Sequence, residues 1–486
     1  MASRSMGEDG SWSTARLPQA RLVRALTVAA WGVGLMHVSG CAETEFGPRL
    51  AFAIPQKFES ATTVKAPNVS RWWTRFQSAE LNGLMDVANI ENLDIAAAVA
   101  QLKQADAQAQ ITGAALWPAL AYSESSQRLR SSGSTAAERN SFNKVINASY
   151  IVDVWGQNRD ALEVALRTAS ASAYQVEVVR LATRASVVDN FLIYAANRER
   201  TTVATENLRN AERLLGVIRQ RQAVGTASEL DIAQQQSLVE IQRASIPPLR
   251  QATEAARTAL AILIGKPVQA VQLTTRGVRR LRLPTVAPGL PTTLLVRRPD
   301  IRSAEQNLAA ADANVAVARK AFLPSIQLTG QAGFQSSVLS ALLRPESFIY
   351  AVAAGVTQPI FEGGRLRGQL ALNEAQRQQL LESYRKSIVS ALTDVENALV
   401  AVRENAARET AQRVAVLAAR RALDLSEERL RQGTIDLTTL LNTQNTLFQA
   451  EDTLIQIRLA RLQAAASLYQ ALGGDWEEPV AAPPVP

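Results

Sequence analysis

A mainly α-helical chain with four membrane-type β-strands, built from two internal repeats and completed by self-association, is the architecture that three features of the sequence predict. The residue pattern recurs at a spacing of about 206 positions. Each copy contains two stretches in which polar and apolar side chains alternate, the period of a strand with one buried face. Each copy then runs on without a proline for roughly 65 residues, far beyond an ordinary globular helix.

The repeat is read position by position. Asp94-Ile95 recurs as Asp300-Ile301, Ala105-Asp106-Ala107 as Ala311-Asp312-Ala313, Pro118 as Pro324, Trp155 as Phe361 and Arg159 as Arg365, each 206 residues on. Farther along, Leu181, Ala185, Val188, Leu192 and Ala195 match Ile388, Leu392, Val395, Leu399 and Val402 at 207. Gly225-Thr226 matches Gly433-Thr434, and Gly265 matches Gly473, at 208. A drift of two residues over the whole module leaves little room for insertions. The expected layout is a signal segment over 1–40, an N-terminal anchored and equatorial segment over 41–90, a first module over 91–270, a linker over 271–298, a second module over 299–474 and a disordered tail over 475–486.

Within a module the elements follow in order. A first helix spans about Asn92 to Leu116, and its copy starts at Pro299-Asp300, where a first-turn proline and acid favour a helix start. A proline ends each. Next come two strands: in the second module Ile326, Leu328, Ala332 and Phe334 share one face and Gln327, Thr329, Gln331 and Gln335 the other. Phe348, Tyr350, Val352, Ala354 and Val356 then alternate again. In the first module "SSGSTAAERNS" separates a strand near 120–130 from one at 145–155. A half-buried soluble hairpin would show the same alternation, so the strands alone do not decide for a membrane.

The long helices decide it. Their apolar positions step 4, 3, 4, 3, a coiled-coil-like seam, and about 65 residues make a rod on the order of 100 Å. Gly225 and Gly433 suit a left-handed helix end, and Ser228 and Asp436 the N-cap of the helix that returns, over about 229–264 and 437–472. Four strands cannot close a barrel, and lipid does not tolerate open strand edges. An oligomer must close them, and the ring of strands carries the helices into a tube.

Composition narrows the function. The 486 residues are 47% apolar but only 5% aromatic, with Ala, Gln, Arg, Leu and Val dominant, which favours long helices. The formal charge is +8, yet basic and acidic residues alternate along the helices without an aromatic platform, so solvated helix faces are expected and nucleic acid is not a partner. There is one Cys, Cys41, and one His, His37. Both lie at the end of "RLVRALTVAAWGVGLMHVSG", residues 21–40 and the Cys after them, which has the basic start and apolar run of a secretory signal. Val38-Ser39-Gly40-Cys41 resembles a lipoprotein signal box, with Cys41 as the lipidated first residue; an ordinary signal peptide with an unrelated Cys is the competing reading. Cleavage there removes His37 and leaves no histidine or free thiol, so His bases, thiolate nucleophiles and His/Cys metal sites drop out and no enzyme is expected. Beyond the signal no run of about 18 apolar residues exists, so a membrane-spanning helix is not expected.

The segments "RWWTRF" at 71–76, "NLDIAAAVAQ" at 92–101, "LPTTLLVRRPDIRSAEQNL" at 290–308, "QPIFEGGRL" at 358–366 and "RLRQGTIDLTTLLNTQNTLF" at 429–448 resemble the outer membrane factors of the TolC/OprM/NodT family. The resemblance covers about 65–475. It implies a homotrimer in the outer membrane of a Gram-negative bacterium, with a 12-stranded barrel continuous with a long periplasmic α-helical barrel. It also implies docking to a periplasmic membrane-fusion adaptor and an inner-membrane pump, of the RND type in the first reading, and passive release of small molecules or drugs. Type I protein secretion is the alternative within the family, and a periplasm-spanning coiled-coil lipoprotein the alternative outside it. No cofactor is implied beyond the N-acyl and S-diacylglycerol lipid on Cys41; Ala42 after it resembles the outer-membrane-sorted kind. The family's aperture follows the second tip glycine, where a leucine and an aspartate ring resemble the positions of Thr438 and Asn442 here. Both are altered, and an amide ring would not filter cations as a carboxylate ring does. Asp231 matches an acid that latches neighbouring tip helices, but its usual aromatic partner is Leu430 here. Asp231 and Asp436 read equally well as capping acids. Arg297 and Arg298 are expected to be structural, and Trp72 and Trp73 to pack the N-terminal segment.

Overall fold

A computed structural model of the chain describes residues 52–60, 69–130, 132, 138–476 and 478. A short 3₁₀ turn at Trp72–Phe76 precedes α1 (Ala79–Glu91) and α2 (Leu93–Gly113). Ser78 and Asn92 cap these two helices: their side chains accept from the backbone N–H of Leu81 at 3.2 Å and of Ile95 at 2.8 Å. A 3₁₀ turn at Ala114–Leu116 tightens the end of α2 ahead of Pro118. Then follow β1 (Ala119–Arg130), β2 (Glu138–Val152), α3 (Gln157–Ala223) and α4 (Glu229–Leu263). After an irregular crossing come α5 (Leu294–Arg297), α6 (Pro299–Lys320), β3 (Ser325–Ser336), β4 (Phe348–Thr357), α7 (Arg365–Arg431) and α8 (Leu437–Ala471).

One boundary is corrected. The second strand, expected at 145–155, begins at Glu138, and the polar stretch given to the turn supplies its first residues. Cross-strand pairing overrides their weak strand propensity: Glu138 to Lys144 sit opposite Arg130 to Glu124 residue by residue.

The strands form one antiparallel sheet in the order β1-β2-β3-β4. Ala119 lies opposite Ser149, Ser149 opposite Thr329, and Ser325 opposite Thr357, so odd residues always face odd and even always face even. Directly opposed residues share a face, hence a residue's parity gives its side of the sheet. At Gly333, opposite Val145, a side chain would run into the Lys144 carbonyl and the Val145 backbone, which explains a glycine inside this strand.

Helices α3 and α7 each contain 67 residues, about 100 Å of rise, and α4 and α8 each contain 35. The expected seam is where burial falls. Val188, Leu192 and Ala195 on α3, and Ile388, Val395 and Leu399 on α7, are buried. Polar ties keep each pair in register: Gln235 donates to the Ala211 carbonyl at 2.8 Å, and Gln412 to the Ala450 carbonyl at 3.0 Å. The two pairs join through Arg200, which grips Asp452 at 2.6 and 3.0 Å. Pro247 and Pro248 lie inside α4, which continues through them although neither can donate a helical hydrogen bond.

Midway along the rods the chain is pinned by two matching sets of contacts. Asn92 donates from its side chain to the Leu263 carbonyl at 2.7 Å, and Arg298 to the Ala471 carbonyl at 3.3 Å. Gly265 presses on the Glu91 carbonyl and Gly473 on that of Arg297, both with φ near the left-handed region, at 65° and 92°. A β-carbon at either glycine would strike that oxygen. Arg298 also pairs with Asp300 at 2.7 Å and Asp394 at 3.0 Å, the structural role expected of it. Trp72 is completely buried and stacks on Tyr469, ring centroids 5.2 Å apart, with Trp73 and Phe76 edge-on beside it.

Candidate functional site

The residues singled out in the sequence gather at the far ends of the long helices. Each rod ends in the same hydrogen-bonded turn. Gly225, at φ 77°, donates to the Gln222 carbonyl at 2.9 Å, and Thr226 to that of Arg221 at 2.8 Å. Gly433, at φ 73°, donates to Leu430 at 3.1 Å, and Thr434 to Arg429 at 2.9 Å. This pairing of bonds with a left-handed glycine satisfies the last carbonyls of the helix and reverses the chain.

Both acids beyond the turns serve as caps. The Asp231 carboxylate accepts from the backbone N–H and hydroxyl of Ser228 at 2.7 and 2.8 Å, while the Ser228 hydroxyl accepts from the Asp231 N–H at 3.2 Å. Asp436 accepts from the Thr439 N–H at 2.8 Å. Bonds from the Thr439 side chain and backbone to its ionised form hold the Asp436 carboxyl below its usual range.

The two tips of one chain pack on each other. Ile218 of α3 meets Leu437 and Leu440 of α8 in a buried cluster, flanked by Ile232, Leu430 and Leu441. Leu430, read in the sequence as replacing the usual aromatic partner of Asp231, packs into this cluster, and its carbonyl accepts from Arg221 at 3.2 Å. Thr438 and Asn442 are exposed, and at a spacing of four they share a helix face turned away from the apolar one. The tip therefore carries a neutral, polar pair at those positions. Cys41 lies outside the described residues.

The second functional surface is the even-numbered face of the sheet. From Ile326 to Phe334 on β3 and from Phe348 to Val356 on β4 its side chains are apolar, Gly330 aside, a run of about 26 Å at roughly 3.3 Å per residue. Much of this face is bare: Val352 is 84% exposed and Tyr350 77%. An apolar band of about 25 Å edged by aromatic residues is what the wall of a membrane barrel presents to lipid. Tyr122, Tyr350, Phe334 and Phe348 cluster toward one margin, the last two 5.7 Å apart, with the Glu124–Lys144 ion pair, 3.1 Å, at the same level. Among the described residues no helix is long and apolar enough to cross a membrane.

One site escaped the sequence reading. Glu409, 1% exposed, accepts from Arg458 at 2.9 Å, from Arg461 at 2.7 Å and from Arg413. Burial alone would raise its pKa, but the hydrogen bonds from Arg461 and Arg458 outweigh burial and hold the carboxyl low. Arg458 also donates to the carbonyls of Val278 and Leu281 at 3.2 and 3.1 Å, which straps the crossing segment onto the rods. Along α7 Glu409 with Arg413 resembles any solvated i,i+4 pair, because the two partners that enclose it, Arg458 and Arg461, are 49 and 52 residues away.

Comparison with known proteins agrees with this geometry. The family model described as outer membrane efflux protein matches residues 84–266 and again 290–474. The chain is similar to the pyoverdine export outer membrane protein OpmQ of Pseudomonas putida, 39% identical over 442 residues, 88% of this chain and 94% of that one. It is similar to OpmQ of Pseudomonas aeruginosa at 38% over 453 residues, 91% of this chain and 95% of the other. Among solved structures, the outer-membrane channel OprN superposes with a TM-score of 0.84 at 25% identity, covering 88% of this chain and 98% of that one.

Proposed function

The chain belongs to the outer membrane efflux protein family, and from that premise we propose that it forms the exit duct of a tripartite efflux system. Three copies supply twelve strands to one barrel, their α3–α4 and α7–α8 pairs continue it as a periplasmic tube, and the tips meet an adaptor bound to an inner-membrane pump of the RND type. Duplication of an ancestral module explains the matching contacts of Asn92 and Arg298 and of Gly265 and Gly473.

One observation carries the reading: a four-stranded sheet with an apolar outer band and two unpaired edges, β1 and β4, attached to rods of about 100 Å. Unpaired strand edges are not tolerated in lipid, and adding copies edge to edge removes them. The duct releases small molecules passively, with energy drawn from the pump. A secreted small molecule of the kind exported by the pyoverdine relatives is the first cargo to test. Cys41 carries the acyl anchor, which adds about 0.8 kcal/mol per buried methylene to a protein the barrel already holds. Cys41→Ser is accordingly expected to lower correct processing more than transport.

The test is reconstitution. Full-length protein extracted from outer membranes should form discrete conducting channels in planar bilayers, and deletion of its gene should leave the cargo in the cell. Intact outer-membrane particles without conductance, together with unimpaired export in the deletion strain, would refute the assignment.

A further inference from the structure

We infer that the inner wall of the barrel is an uncharged, hydrogen-bonding surface that passes solutes of either charge sign, so that this part of the duct sets no charge filter. The inference rests on the closed-duct reading, and adds to it the chemistry of the wall.

The parity of the sheet supplies the evidence. With the even face apolar and turned to lipid, the odd residues of all four strands face the lumen. Strands β3 and β4 contain no Asp, Glu, Lys or Arg at all. In β1 and β2 the charged residues Glu124, Arg128, Arg130, Glu138 and Lys144 are even-numbered and so fall on the outer face. Arg139 is the one odd-numbered charge in the strands, at the loop end of β2 opposite Leu129. It stands four residues, about 13 Å, along the strand from Asn143. That exceeds the Debye length of about 8 Å at physiological salt, so its field is largely screened before it reaches the wall beyond Asn143.

What the odd face does offer is amides and hydroxyls. Asn147 donates to the Ser123 hydroxyl at 2.9 Å and Asn143 to the Ser125 hydroxyl at 3.3 Å. Asn143 gives its other N–H to the Ser141 hydroxyl at 3.3 Å, so it keeps its carbonyl oxygen for a passing solute, while Asn147 keeps its carbonyl oxygen and a second N–H. On β3, Gln327, Gln331 and Gln335 recur every four residues, about 13 Å apart, and all are exposed. A charge filter needs fixed charges at close quarters to the permeant ion. A wall of amides replaces part of a solute's hydration without regard to its sign. The solutes it suits are polar molecules rich in hydrogen-bonding groups, anionic as well as cationic.

Reversal potentials under a KCl gradient test this on the full-length channel in planar bilayers. Because no resident charge dominates the wall, Gln331→Glu should shift the permeability ratio severalfold toward K⁺ and Gln331→Lys severalfold toward Cl⁻. As a check that needs no new charge, Gln331→Cys should react with a water-soluble sulfonated thiol reagent and Ala332→Cys should not. Channels that conduct with an unchanged permeability ratio in both charge variants would overturn the inference while leaving the duct intact. Reaction at Ala332→Cys with protection at Gln331→Cys would overturn it by reversing the faces. A protein that conducts no ions at all would overturn both it and the duct.

Discussion

Gly433 and Gly473 both take a positive φ, yet their surroundings differ. Around Gly433 nothing stands within 4 Å of where a β-carbon would be, whereas at Gly473 the Arg297 carbonyl fills that place. Gly433→Ala should therefore cost only the left-handed backbone term, about 1–2 kcal/mol, seen as faster hydrogen exchange confined to the tip. Gly473→Ala adds a backbone collision at the junction of α8 with α5, and should lower the yield of folded particles as well. Equal effects of the two would contradict the contact geometry. At Glu409, replacement by Gln leaves three arginines around a buried neutral group, and breaking such a buried pair costs roughly 3–5 kcal/mol. The sign of its pH dependence follows from the lowered pKa. The carboxylate stabilises the fold in full above the ordinary carboxylate range, and that contribution is lost as pH falls through its lower folded-state value. Thermal unfolding of the wild type should thus hold level from neutral pH down to that range, then drop; Glu409→Gln should flatten the drop.

The sheet divides its residues by parity, and a pair of neighbours tests the division. Val352 lies on the even face, so Val352→Lys places a charge toward lipid and should cost about 2–4 kcal/mol near the bilayer midplane. Ala353→Lys, one residue on, falls on the odd face, the lumen side of the proposed barrel, and should leave heat-resistant particles at the wild-type level; if it is the more damaging of the two, the faces are reversed. Elements of this kind were legible in the sequence wherever a period was long and unbroken. The alternation of 326–334 and the 4-3-4-3 steps from Leu181 and Ile388 gave the strands and rods, and the glycine and cap residues at 225–228 and 433–436 gave the tips. What stayed hidden depends on partners distant in the chain. The start of β2 is set by pairing with β1, because Glu138 to Ser141 have little strand propensity of their own. Pro247-Pro248 taken alone would break a helix, and only packing of α4 along α3 carries it through. At the site, Gly225, Gly433, Ser228 and Asp436 were found by local capping chemistry, which acts within four residues, and Asp231 by its match to a family position. The packing of Leu430 against Ile218, and the arginine cluster at Glu409, needed the tertiary fold.

At the level of the whole molecule, the apolar band on the sheet and the rods of α3 and α7 belong to an outer-membrane efflux channel, the family to which the chain is assigned. A single copy leaves β1 and β4 each with an unpaired edge beside an apolar face, and on the proposed reading the physical demand to pair those edges is met by further copies of the chain. The most direct test is the mass of the particle extracted from the outer membrane in mild detergent and measured by native mass spectrometry. Three copies of the chain in one complex that falls apart only on heating is the predicted result. A stable, folded single copy, with its sheet protected from exchange, would contradict the account.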